Sequence, residues 1–313
     1  MNTEKISQIT TKTFTPPHPL KTAVLFMVFN RPDTTKQVFE AIRKAKPPRL
    51  YVSADGPRAD KAGEAEKCKE VRRIAMQVDW DCEVKSLFRD QNLGCKVAVS
   101  SAIDWFFENE EEGIILEDDC LPSQSFFWFC EELLIKFSDD PRVQHIGGTN
   151  PFDTELTTNQ YYFSKFNRIW GWASWRRSWN NYNVEIKMWP SIKKENYHKR
   201  ILGEAVGRYY EKIWDAVYQG KIDTWDYQWM LCRMLQGMAI IPYVNLISNI
   251  GFGENSTHTT TNNSKLSNLP RGEIIFPLQH REYFVMDYKK DLCWEKYLLN
   301  EPGLISKLLR IFK

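Results

Sequence analysis

From Ala23 to about Gly148, short apolar runs alternate with segments whose apolar residues recur every three or four positions. Runs at residues 23–29, 50–54, 84–88, 113–116 and 143–146 are short, apolar and rich in β-branched or aromatic residues, which predicts strands. Between them, Val38, Ile42 and Ala45 mark one helical face, and Cys68, Val71, Ile74 or Ala75 and Val78 a second. Val99, Ile103 and Phe106 mark a third face, and Phe126, Cys130, Leu133 and Phe137 a fourth. Thr34 with Gln37 three residues later predicts a capping box for the first helix. Strands separated by helices of this length require crossovers, which predicts an α/β fold: a mostly parallel, Rossmann-like sheet flanked by helices.

Beyond Thr149 the pattern changes. Eight of the 12 tryptophans lie between Trp170 and Trp229, among polar turns. A helix is predicted over 224–236, closing at Gly237, followed by one or two strands within 238–250 broken at Pro242. Residues 251–271 are rich in Gly, Asn, Ser and Thr and read as a mobile loop. These shifts divide the chain into a flexible tail (1–20), a first half (21–150), an intimately packed second half (151–285) and a C-terminal tail (286–313). In that tail, residues 303–313 interleave leucines with Lys307, Arg310 and Lys313. A membrane-surface helix and a terminal helix docked on the domain fit this pattern equally well.

Composition narrows the class. A chain of 313 residues, 42% hydrophobic, can bury a substantial core. Its net charge of +2 argues against a broad basic face for nucleic acid. Seven cysteines form no CxxC pair and mostly lie in apolar runs, as expected of free thiols in a reducing cytosol. Residues 1–21 lack the apolar stretch of a signal peptide, and no other segment reaches membrane-spanning length.

The chemistry lies where the predicted strands end. The first delivers Asn30 and Arg31, the second Asp55-Gly56-Pro57, the third Arg89 through Asn92 with Lys96 beyond, the fourth Glu117-Asp118-Asp119. Parallel sheets bind ligands at this carboxyl edge. Consecutive carboxylates supply hard oxygens for a divalent cation, Asp55 can accept from a base or ribose, and Arg31, Arg89 or Lys96 can neutralise phosphate. Taken singly, each is also an ordinary turn or helix start. Four in register describe a nucleotide site.

With these residues in place, the sequence resembles glycosyltransferases of the GT-A fold, most of all the inverting N-acetylglucosaminyltransferase I type, over roughly residues 23–260. Glu117-Asp118-Asp119 is similar to that family's Glu-Asp-Asp form of the DxD motif, whose last acid binds manganese; the resemblance therefore implies Asp119 as ligand to Mn²⁺ or Mg²⁺. It also implies that Asp55 reads the base, and that Asn30, Arg31, Arg89, Asn92, Lys96, Glu117 and Asp118 line the nucleotide-sugar. Trp225-Asp226-Tyr227-Gln228-Trp229-Met230 is similar to the family's Trp-Asp-Asp-Trp-Met helix, with one extra residue between the tryptophans. Asp226 is the expected catalytic base, because Gln228 cannot accept a proton. Asn150, Trp170, Trp172 and Trp225 are expected on the acceptor side, and His258 as a further reach to metal or diphosphate.

The expected activity is metal-dependent, inverting transfer from a nucleotide-diphosphate sugar to a glycan hydroxyl, in bacterial surface polysaccharide synthesis. The expected setting is cytoplasmic, at the inner membrane face. Each residue also has a plainer reading: Asp226 as a first-turn acid favoured by the helix dipole with Asp223 or Thr224 as cap, most tryptophans as core, His258 as an inert loop histidine, His145 as a satisfied buried one. Retaining transfer on the same fold and non-catalytic carbohydrate binding are the competing functions.

Overall fold

The computed structural model describes residues 14–152, 160–252 and 266–300. The first half runs β1 (Val24–Val28), α1 (Pro32–Ala45), β2 (Arg49–Ala54), α2 (Glu64–Ala75), β3 (Glu83–Phe88), α3 (Gly94–Asn109), β4 (Glu112–Glu117), β5 (Cys120–Pro122), α4 (Ser125–Lys136) and β6 (Val143–Gly147). The second continues with β7 (Tyr161–Ser164), β8 (Trp172–Trp175), α5 (Arg176–Trp179), α6 (Trp189–Lys194), α7 (Tyr197–Leu202), α8 (Glu204–Tyr218), α9 (Asp226–Met234), β9 (Met238–Pro242), β10 (Ile247–Asn249) and α10 (Tyr288–Asn300).

Eight strands form one sheet in the order β3-β2-β1-β4-β8-β6-β9-β7, and β5 pairs with β10 in a small antiparallel ribbon. The β1–β2, β2–β3, β1–β4 and β6–β9 pairs are parallel; β8 runs against both β4 and β6, and β7 against β9. Six strands therefore point the same way, and their carboxyl ends share one edge. The expected Rossmann-like α/β sheet is present, and it passes without a break from the first half into the second.

Alternation along each strand sorts side chains to two faces. Val24, Phe26 and Val28 of β1, with Ile114 and Leu116 of β4, pack against α1, α2 and α4. Leu25, Met27 and Ile115 face α3 together with Trp172, Trp179, Trp225 and Trp229. Glu117 follows Ile115 by two residues, so this period carries it to the tryptophan side. A separate cluster gathers α6 to α9 around Trp189, Trp214 and Ile213, and Leu298 of α10 packs into it. The segment from 288 to 300 is thus a docked helix, whereas the amphipathic stretch 303–313 lies outside the described residues.

Helix starts depart from the sequence expectation. The predicted capping box at Thr34 and Gln37 does not form: α1 begins at Pro32, and the Thr34 and Thr35 hydroxyls donate to the Arg31 carbonyl instead. Proline at the first position needs no partner for a missing N–H, which relieves the helix of a side-chain cap. Among the described residues, no helix is long and apolar enough to cross a membrane.

Candidate functional site

At the carboxyl edge, β1 and β4 are neighbours, which puts Arg31 beside the acids after β4. Arg31 bridges two of them, with Nη2 2.6 Å from Asp118 Oδ1 and Nη1 2.7 Å from Asp119 Oδ2. Asp118 is nearly sealed, with a side chain 3% exposed, and its other oxygen accepts from the Phe29 N–H at 3.2 Å. Burial works against the Arg31 charge, but Asp118 and Asp119 outweigh it and hold the guanidinium above its ordinary range. Burial and repulsion from Asp119 push the Glu117 carboxyl up to about 8, with Asp118 and Asp226 adding to the shift. Burial raises Asp118 as well, to about 6, even beside Arg31. One guanidinium serves several carboxylates here, so the cluster carries excess negative charge.

The β10 strand closes over this pair. Ile250 donates its N–H to the Asp119 carbonyl at 2.8 Å, and Gly251 follows directly above the side chains. A Cβ at Gly251 would stand 2.3 Å from Asp119 Oδ2 and 2.6 Å from Arg31 Nη1, so a larger residue here would have to displace the Asp119 and Arg31 side chains. The next residue, Phe252, meets Trp170 edge to face at 5.6 Å. Trp170 is itself half-buried.

Asp55 is a clamp within the fold. Its carboxylate accepts from Gly56 N (2.9 Å), Leu93 N (3.0 Å) and Asn92 Nδ2 (2.9 Å), and Asn92 also donates to the Gly56 carbonyl. The turns after β2 and β3 are tied together by it. Arg89 donates to Ser101 Oγ at 2.7 Å, and Asn30 to Glu64 Oε1 at 2.8 Å. Glu64 is 4% exposed and opposes its own burial with bonds from Arg58 and Asn30, which bring its carboxyl down to about 2. Nothing in the local sequence pattern around Glu64 singled it out.

Asp226 opens α9, and Thr224 donates its hydroxyl to Asp226 Oδ1. Its charge adds to the upward shifts of Glu117 and Cys95. Asp223 is not the cap of α9. It crosses to α3, accepting from Cys95 N and Lys96 N at 3.0 Å each, and so satisfies orphan donors at the N-terminus of that helix. Gly94, at φ +77°, makes the sharp approach, with Asp223 directly over its Cα. Burial, then Glu117, Asp226 and Asp223, raise the Cys95 thiol, keeping it protonated between the two halves.

The structure places the other expected acceptor residues inside. Trp172 is 1% and Trp225 2% exposed, and their rings stack on each other at 5.8 Å. Neither presents a face to a ligand; both pack the sheet against α9. Asn150 is buried too, donating to the Tyr243 carbonyl and accepting from Phe152 N. His145 is the satisfied histidine expected: Nε2 donates to the Arg168 carbonyl at 2.9 Å while Nδ1 accepts from Trp229 Nε1 at 3.1 Å. His258 lies outside the described residues.

The hard oxygens and surplus negative charge fit a divalent cation at Asp119 in chemistry. Asp119 Oδ2 is held by Arg31 while Oδ1 accepts from Cys120 Sγ at 3.4 Å, and among the described residues no three His, Cys, Asp or Glu side chains are grouped to hold a metal.

No protein-family model and no curated protein matches the chain. Among solved structures it is similar to the apo form of mouse xyloside xylosyltransferase 1, at 11% identity and a TM-score of 0.26, over 42% of this chain and 54% of that one.

Proposed function

We propose that the chain is an inverting glycosyltransferase that moves a sugar from a nucleotide-diphosphate donor to a hydroxyl of a glycan acceptor. One observation carries the reading: Glu117-Asp118-Asp119, at the end of a central parallel strand, meets Arg31 from the end of β1, whose guanidinium bridges Asp118 and Asp119. A helix-capping role for the triplet would leave no reason for that meeting. Its acids in fact do not cap α4, whose first N–H groups at Gln124 and Ser125 donate to Glu273.

In this reading the donor diphosphate lies against Arg31, whose guanidinium turns from Asp118 and Asp119 to phosphate oxygens. Asp119 then becomes free to hold Mn²⁺ or Mg²⁺, which would neutralise charge gathering on the departing diphosphate. Asn30, Asp55, Arg89, Asn92 and Lys96 frame the nucleotide from the ends of β1 to β3. Asp226 faces the cluster from the other half and takes the proton of the acceptor hydroxyl at its carboxylate, opposite the leaving group, which inverts the anomeric centre. Synthesis of bacterial surface polysaccharide at the cytoplasmic face is the setting we assign.

The test is nucleotide binding with and without manganese, followed by turnover. Asp119→Ala should abolish transfer and remove the metal dependence of nucleoside diphosphate affinity measured by titration calorimetry. The same metal-dependent affinity in wild type and variant would end the assignment of Asp119, and a product retaining the donor's anomeric configuration would end that of Asp226.

A further inference from the structure

A groove of about 530 Å³ opens between α1, the β5–β10 ribbon and the segment 269–273, a size ordinary for a ligand site. One wall is a single face of α1, where Gln37, Glu40, Ala41 and Lys44 fall at the three- and four-residue spacing that aligns side chains, over about 10 Å of helix. Leu121, Pro122 and Ser123 from the β5 side, with Ser248 and Ile250 from the β10 side, form the floor. Arg271 and Glu273 belong to the remaining wall.

Hydrogen bonds tie both walls to the floor. Gln124 Nε2 donates to the Ala41 carbonyl at 3.0 Å, and Arg271 Nη1 to the Pro122 carbonyl at 2.6 Å. The Glu273 carboxylate accepts from Gln124 N at 3.2 Å and Ser125 N at 2.7 Å. The groove is therefore built into the fold.

Its chemistry is balanced. Each wall carries one cation and one carboxylate, Lys44 with Glu40 and Arg271 with Glu273, so the lining has no net formal charge to draw a polyanion or a polycation. Between these polar groups lies the apolar surface of Ala41, Leu121, Pro122 and Ile250. Sugar hydroxyls both donate and accept, and the C–H faces of sugar rings need apolar surface, so a neutral glycan uses the whole lining. Ser123 adds bonding capacity left open: it is 6% exposed, and its hydroxyl is buried with no partner among the described residues. No aromatic ring lines the groove among the described residues, so binding rests on hydrogen bonds and is modest.

Position links the groove to the acid pair. Ile250 lines it and donates its N–H to the Asp119 carbonyl, and the next residue, Gly251, lies against the Asp119 and Arg31 side chains. Leu121 follows Asp119 by two residues. A chain whose end reaches Asp119 and Arg31 can continue into the groove.

We infer that this groove is an extended acceptor subsite, holding the distal sugars of a neutral oligosaccharide whose end lies at the acid pair. The word acceptor rests on the transferase reading; the carbohydrate class rests on the lining.

The experiment measures binding of maltotetraose, cellotetraose, chitotetraose and tetragalacturonate, each beside its own monosaccharide, by ligand-observed NMR. The proteins are the full chain, its Gln37→Ala/Lys44→Ala double variant at two exposed positions, and Arg271→Ala, with uridine and guanosine diphosphates titrated separately. At least one neutral tetramer should bind wild type tenfold or more tighter than its monosaccharide. The double variant should erase most of that gain and Arg271→Ala reduce it severalfold, with nucleotide affinity unchanged. No gain with chain length for any neutral tetramer, a gain unchanged in the variants, or a preference for tetragalacturonate overturns the subsite. Should the double variant not fold, Arg271→Ala decides. A groove-dependent gain without nucleotide binding supports the subsite and refutes the transferase reading, whereas nucleotide binding without the gain removes the subsite and leaves that reading standing.

Discussion

Asp226 and Arg31 are the residues on which the chemistry turns, and they fail differently when changed. Asp226→Asn preserves size and the Thr224 contact but cannot accept a proton, so turnover should fall about 10²-fold or more while donor affinity holds. If Asp226 only favoured the helix dipole, the same change would lower stability by roughly 0.3–1 kcal/mol and spare turnover. Steady-state kinetics and donor titration on folded variant separate these outcomes. Arg31→Met strips the cation from Asp118, which keeps a side chain only 3% exposed. Breaking a buried pair by removing one partner costs roughly 3–5 kcal/mol, so the denaturation midpoint should drop sharply. Asp118→Asn in the Arg31→Met background should recover part of that loss, which chemical denaturation can read.

At the scale of elements, the site depends on α3 and α9 being held where their first turns meet. Asp223 ties α9's approach to the N-terminus of α3, and Asp223→Ala should cost about 1 kcal/mol, as lost caps do. His145 ties α9 to β6 through Trp229 and to the loop before β8 through Arg168. Burial lowers its pKa from 6.5 to about 3, so the folded state refuses a proton that the unfolded chain accepts below 6.5. The stability this contributes is complete above pH 6.5 and is lost as pH falls towards 3, amounting to about 2 kcal/mol by pH 5. His145→Gln should flatten the wild-type fall in stability across that window, and a slope unchanged by the substitution would show that other groups cause it. The strands and the acid edge were legible because alternation and apolar runs are local signals. The caps were not: Pro32 replaced the Thr34 box, Glu273 capped α4 from far along the chain, and Asp223 turned to α3. Long-range partners of this kind leave no mark on local spacing. Trp172 and Trp225 show the same limit, since sequence places them near the acids while packing decides that their rings face inward.

Across the whole molecule, the change in composition near residue 150 suggests two units, yet the fold does not separate there. The β4 strand pairs with β8 through Ile114–Ala173 and Ile115–Trp172, so the central ladder joins the halves backbone to backbone. Leu25, Tyr51, Ile103 and Ile115 from the first half share one cluster with Trp172, Trp225 and Trp229 from the second. Each such side chain contributes about 1.5–3 kcal/mol on burial, and a fragment ending at 150 would expose its half of them to water. It would also leave β4 as an open edge and the N-terminus of α3 without Asp223. The whole chain should therefore unfold in one transition, with tryptophan fluorescence, which reports chiefly the second half, and far-ultraviolet circular dichroism giving the same midpoint in urea. A fragment of residues 21–150 should remain unfolded or aggregate. Two separated transitions, or a fragment that folds and binds nucleotide alone, would mean that the halves are independent and that Asp226 is carried to the acid cluster by docking rather than by the sheet itself.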